Sequence, residues 1–322
     1  MDRMRNNALA RPNILGDRDQ LGQQLALLSA SMDAVKARIN ALAPISRLPH
    51  ELLAAVFSLL LDDERTYWSA VPSDLSKRRP RALRLGWIRV THVCRAWRHV
   101  ALDFRALWRD ITFSLGSRWA QCMFGRAKNA PLSILAHLGS PLYALEDVLR
   151  IDAHLAHTHS LTLSASNTCL PSCLQRLVSP APFLHTLSLT VDHFGLGPEA
   201  VVIAPADLFS GSTPNLRCVS LRNVFIPWTS SLFSNLSSLS IMLAVLSKAD
   251  GAYFWDPPEP VDDDNRTPDL APFLEALDRM SGLESLTIQG ALPHFEDTMA
   301  FTGEQFNLPR LKSLDLGGQS KT

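Results

Sequence analysis

The residues best suited by type to do chemistry are His154, His157, His159, Cys169 and Cys173, imidazoles and thiols close together in the chain. Such ligands suit zinc, but their spacing matches no structural zinc pattern. The plainer reading places His154 and His157 at a helix end and its following turn, and His159 on the next strand, so no metal is expected. Asp262-Asp263-Asp264 lacks the glycine and distal glutamate of a calcium loop. Cys94 falls on an apolar helical pattern and reads as a small core residue rather than a nucleophile. No Gly-x-x-x-x-Gly-Lys-Ser/Thr phosphate loop occurs, and Gly195-Leu196-Gly197-Pro198 lacks the third glycine of a dinucleotide turn. A Gly-x-Ser-x-Gly nucleophile elbow is also missing. The expectation is therefore a chain without cofactor or metal that is not an enzyme.

Bulk properties narrow the partners. The 322 residues, 46% hydrophobic, are enough for two or three domains with a sizeable core. Thirty-one basic residues balance thirty-one acidic ones, so no global field draws the chain to nucleic acid or an anionic membrane. The five cysteines, Cys94, Cys122, Cys169, Cys173 and Cys218, are odd in number and scattered, which fits a reducing compartment better than a disulfide framework. There is no signal-peptide pattern and no run of about eighteen apolar residues. A soluble protein of the cytosol or nucleus is expected, and on that reading the sequons at Asn235 and Asn265 are accidental.

Beyond Trp108 one phrase recurs. Leu184-His185-Thr186-Leu187-Ser188-Leu189, Leu216 to Leu221, Leu236 to Ile241, Leu283 to Ile288 and Leu311 to Leu316 all fit L-x-x-L-x-L. Thr158 to Leu163 is a weaker copy, and Leu132-Ser133-Ile134-Leu135 reads as a degenerate first strand. Successive copies start 26, 32, 20, 47 and 28 residues apart. The last apolar pair of each copy alternates with a small polar residue, as in a strand with one face buried and one wet. Turn signals such as Ser179-Pro180-Ala181-Pro182 and Ser212-Thr213-Pro214-Asn215 precede most copies, and amphipathic pieces at Leu142–Leu155 and Ala271–Met280 are each long enough for a helix.

This pattern resembles an irregular leucine-rich-repeat array. The expected α/β fold stacks strand–helix units into a solenoid over residues 111–322, with the strands on its concave face. Target-facing candidates are the polar residues between the strand leucines: Thr162, Ser188, Ser220, Ser240, Thr287 and Asp315. Residues 248–268, with Tyr253-Phe254-Trp255-Asp256 and Asp262-Asp263-Asp264, read as a loop insert that either grips a basic segment or is merely anchored by its aromatics. The chain stops just after a strand, so the array is either short or part of a longer product.

Upstream, Leu21, Leu25, Leu28, Met32, Val35, Ile39 and Leu42 alternate by four and three, a short heptad seam within residues 1–44. Asp17 or Asp19 can cap it and Pro44 ends it. Either it self-associates weakly through 21–42 or it lies against the next domain. That next domain, 45–110, is a small all-α bundle in two halves. Pro49 and Glu51 open a helix bearing Leu52, Leu53, Val56, Phe57 and Leu60. Val90, Val93, Cys94, Trp97, Val100 and Ala101 repeat the period on another, and Leu107-Trp108 add a third apolar piece. Between the halves, residues 62–86 with Ser76-Lys77-Arg78-Arg79-Pro80-Arg81 read as a solvated loop. The large apolar side chains exceed what so small a bundle can hide.

The run Leu48-Pro49-x-Glu51-Leu52-Leu53-x-x-Val56-Phe57, then Val90-x-x-Val93-Cys94-x-x-Trp97-x-x-Val100-Ala101 and Leu107-Trp108, resembles the F-box motif. More narrowly it is similar to the F-box-like proteins abundant in mushroom-forming fungi, with a heptad helix before the F-box and divergent leucine-rich repeats after it. The resemblance implies a substrate-recognition subunit of a cullin–RING ubiquitin ligase, bringing a target to ubiquitin-dependent degradation. It implies an adaptor interface formed or supported by Leu48, Pro49, Leu52, Val56, Phe57, Val93, Cys94 and Trp97, with a cullin reached through the adaptor. Leu53, Val100, Leu107 and Trp108 would instead knit the chain to itself. The rival is a repeat scaffold in which the bundle is only an N-terminal cap.

Overall fold

The computed structural model describes residues 14–63, 67–68, 83–138, 141–191, 201–243, 270–292 and 308–317. It divides into two compact units, one of residues 1–65 and 86–104, the other of 66–85 and 105–322. The loop insert expected at 248–268 lies outside the described residues, as does Ser76 to Arg81.

Among the described residues the first unit is helical, without a strand. α1 (Ile14–Leu42) is a 29-residue helix of leucine, alanine, glutamine and arginine with no proline before Pro44. It begins three residues ahead of the expected cap at Asp17, so both Asp17 and Asp19 lie inside it. A 3-10 turn (Pro44–Arg47) leads to α2 (His50–Asp63). Leu53 donates its N–H to the carbonyl of Pro49 at 3.0 Å, which makes Pro49 the residue that starts the helix and puts Glu51 in its first turn.

The second half of the unit departs from the single helix that its period predicts. A 3-10 helix (Gly86–His92) comes first, and α3 (Arg95–Asp103) follows after a break at Val93-Cys94. Val90, Thr91 and Val93 are β-branched and hold an α-helix poorly. Cys94 is extended (φ −156°, ψ 171°), and its Sγ accepts the Trp97 N–H at 3.5 Å, so it caps α3 instead of packing on a helix face. The break turns Val90 into the core and leaves Val93 58% exposed.

The second unit starts with a two-residue antiparallel pair, β1 (Tyr67–Trp68) with β2 (Leu83–Arg84), from the insert expected as plain loop. A 3-10 turn (Arg105–Trp108) then buries Leu107 and Trp108 completely, with the Arg126 guanidinium 4.2 Å from the Trp108 ring centre. An eight-stranded parallel sheet follows. Its first members are β3 (Asp110–Thr112), β4 (Leu132–Leu138), β5 (Thr158–Ala165) and β6 (Thr186–Val191), joined by α4 (Ser117–Ala127), α5 (Pro141–Asp152) and the short α6 (Leu170–Leu174). After β7 (Val202–Ile203), which pairs with β9 (Val224–Phe225) outside the large sheet, come β8 (Cys218–Arg222) and β10 (Ser238–Met242). α7 (Leu270–Arg279), β11 (Ser285–Gln289) and β12 (Ser313–Gly317) complete the unit. In the large sheet every strand neighbours the next one in sequence among its members, from β3 at one edge to β12 at the other.

The recurring phrase is the device that sets this register. Its last two apolar positions align across the strands as Leu161, Leu187, Val219, Leu239, Leu286 and Leu314, with a second row two residues on. Its first leucine lies before the strand: Leu184, Leu216, Leu283 and Leu311 each donate to the carbonyl three residues back, closing a turn. Leu184, Leu216, Leu236 and Leu283 are at most 1% exposed. A helix behind each strand is expected, yet the fully described connection from β8 to β10 has none. The segment between β8 and β10 instead buries Trp228, Leu232 and Phe233 in turns.

Candidate functional site

Two surfaces stand out by the residues they present. The first is on α2, whose apolar residues split into two faces. Leu53, Phe57 and Leu61, spaced one helical turn apart, are buried, and Ala54 joins them. Leu52, Val56 and Leu59, also at helical spacing, are 54%, 45% and 70% exposed. Leu48 and Val93 are exposed as well, and so is Ile45. Leu59 and Ile45 were not singled out by sequence, because nothing in the period separates a wet apolar stripe from a buried one.

The expected interface residues thus fall into two groups. Leu48, Pro49, Leu52, Val56 and Val93 present themselves to solvent. Phe57, 1% exposed, lies under the surface against the half-buried Trp97, with ring centroids 5.0 Å apart and planes at 55°. Cys94 is half-buried at the helix cap. Beside this stripe, His50, Glu51 and Ala54 of α2 face His99, Val100 and Asp103 of α3 across an open cleft of about 270 Å³. His99 Nδ1 and Asp103 Oδ2 stand 2.8 Å apart on its rim. Leu53 and Val100, expected to hold the bundle together, are 4% and 6% exposed.

With this geometry in place, comparison with known families gives one match. Residues 45–114 match the F-box-like family. They form an F-box-like domain, a kind that commonly binds ubiquitin-ligase adaptors and serves protein–protein interaction. No curated protein and no solved structure matches the chain.

The second surface is the polar face of the parallel sheet in the other unit, where Ser220 and Asp315 are exposed and Thr162, Ser188, Ser240 and Thr287 are half-buried. It carries small hydroxyls in register: Thr162, Ser188, Ser220, Ser240 and Thr287 stand side by side on adjacent strands, with Asp315 at the end. At the strand starts runs a second row, His159 inside β5 and then His185, Arg217, Ser237, Glu284 and Lys312 each just ahead of its strand, in which each residue from His185 onward donates its N–H to the carbonyl of the one before it. The His159 and His185 rings stack at 5.1 Å. Burial, then the neighbouring His159 and Arg217, holds His185 below its ordinary value. At the far end Glu284 pairs with Lys312 at 2.8 Å, and that hydrogen bond and charge lower the Glu284 carboxyl. Arg222 lies further along the same sheet, in register with Thr190 and Met242, and His137 in register with Ser164.

The sulfur and imidazole group resolves into packing. His154 stacks on Phe124 at 4.4 Å and meets His157 edge-on at 5.2 Å. Cys169 and Cys173 are buried with their sulfurs 3.6 Å apart. Among the described residues no group of three or more His, Cys, Asp or Glu side chains is placed to hold a metal. Nor is any described helix long and apolar enough to cross a membrane.

Proposed function

We propose that this chain is the substrate receptor of a cullin–RING ubiquitin ligase. The F-box-like domain docks on the ligase adaptor, and the second unit receives the target protein. The observation that carries this reading is the exposed stripe of Leu52, Val56 and Leu59, together with the exposed Leu48 and Val93, inside a segment that matches the F-box-like family. A small soluble unit keeps such a stripe at a cost in solubility unless a partner covers it, and interface cores are built from side chains of this kind. The aligned leucine rows and the turn-closing first leucine of each phrase favour a divergent leucine-rich-repeat reading of the second unit, whose hydroxyl-lined face is then the target surface. On this reading the chain supplies no reaction chemistry; it acts by proximity and orientation while other subunits carry the reaction.

Co-expression with the ligase adaptor tests the proposal. The two should co-purify, and replacing Leu52 and Val56 together by Glu should abolish the pairing without lowering the melting temperature. Failure of the wild-type chain to retain the adaptor would overturn it.

A further inference from the structure

The apolar seam of α1 is uncovered. Leu21, Leu25, Leu28, Met32, Val35 and Ile39 are between 53% and 71% exposed, and Leu42 closes the row at 81%. The ion pair from Arg95 Nη2 to Asp33 Oδ2, at 2.8 Å, reaches α1 from α3 at a position outside the seam and leaves the seam free. Side chains of this size and exposure leave on the order of 100 Å² each, or roughly 600–700 Å² of apolar surface along one helix. That is at or above the largest patch of an ordinary monomer and close to the ~800 Å² that each side gives to a standard interface.

The spacing states what covers it. A strict alternation of four and three has a period of 3.5 residues, which stays on one face only when the helix supercoils around a partner with the same period. Neither α2 nor α3 is as long as the seam. The positions flanking the seam are Gly22, Gln24, Ser29, Ser31, Lys36, Arg38 and Ala43. In a parallel pair of identical helices Gln24 meets the second copy's Ser29, Ser31 meets its Lys36 and Arg38 meets its Ala43. No like charges oppose one another, so self-pairing is unobstructed. A dedicated different partner is ordinarily selected by complementary charges at these positions, and they are largely uncharged here.

We propose that α1 is a dimerisation helix, through which two copies of this chain pair as a two-stranded coiled coil along Leu21–Leu42. This is independent of adaptor binding. A seam of about three heptads gives a modest affinity, so the oligomer depends on concentration. Light scattering of the full chain after gel filtration, from about 1 to about 100 µM, should show the mass rising toward twice the monomer. Leu28→Lys with Val35→Lys should remain monomeric throughout, with an unchanged melting temperature at dilutions where the wild type is also monomeric. Ala30→Lys, on the opposite side of the helix, should dimerise like the wild type. A wild type that stays monomeric at the highest concentration overturns the proposal, as does a double variant that still dimerises. So would an Ala30→Lys variant that dissociates equally, since that would place the contact elsewhere on the helix.

Discussion

Phe57 and Trp97 meet with their ring centroids 5.0 Å apart, joining α2 to α3 across a separation of forty residues. One ring is fully buried and the other half-exposed, so the pair is the floor of the F-box-like domain rather than its surface. Phe57→Ala removes a large side chain from a closed site and should cost about 3–5 kcal/mol, read by urea unfolding. A loss below about 1 kcal/mol would mean that the ring is not part of the core.

The exposed stripe should behave in the opposite way. Leu52→Ala, Val56→Ala and Val93→Ala should each change stability by no more than about 0.5 kcal/mol, because these side chains already face water. Combined, they should weaken adaptor capture by roughly 30-fold, equivalent to about 2 kcal/mol of interface anchoring. Titrating wild type and triple variant against immobilised adaptor measures this, and equal retention would move the interface elsewhere.

Acid should destabilise the second unit. Burial, and for His154 also the adjacent His157, holds both imidazoles below their ordinary value of 6.5, and His185 is lowered in the same direction. Below that pH the unfolded chain takes up protons that the folded chain resists, so stability is full above 6.5 and falls as pH drops through the folded values. Melting temperature should fall between about pH 7.5 and about pH 5.5, and His154→Gln should shrink that difference. An identical shift in the variant would assign the effect to other groups.

Thiol labelling should separate the cysteines. Burial first, then its contact with Cys169, pushes the Cys173 thiol up from 9.0 to about 12, whereas Cys122 is exposed. At mildly alkaline pH iodoacetamide should modify Cys122 in the folded protein and reach Cys173 only after denaturation, as peptide mapping would show. The same shift means that Cys173 contributes stability that is present below pH 9.0 and is lost as pH rises toward 12.

The sequence by itself determined the strands that carry the recurring phrase, because a period of two with a large aliphatic residue at each buried position favours one arrangement beside a core. The phrases at Leu184, Leu216, Leu236, Leu283 and Leu311 each mark a strand start, and all their strands lie in one parallel sheet. The long α1 and its end at Pro44 were legible for the same local reasons of propensity and missing N–H. Cys94 was not. Whether Val90 to Ala101 is one helix or two depends on an extended cap whose thiol bonds to Trp97, a competition between local β-branched strain and a distant packing requirement.

Tertiary structure alone also decided which apolar residues are core. Leu52 and Leu53 are adjacent, equally hydrophobic and on the same amphipathic pattern, yet one is 54% exposed and the other 4%. Hydrophobicity fixes that a side chain prefers to leave water, but the position of α3 against α2 fixes which of them can. The residues left over from that choice, Leu52, Val56 and Leu59 on α2 and the uncovered seam of α1, are where this protein offers apolar surface to partners.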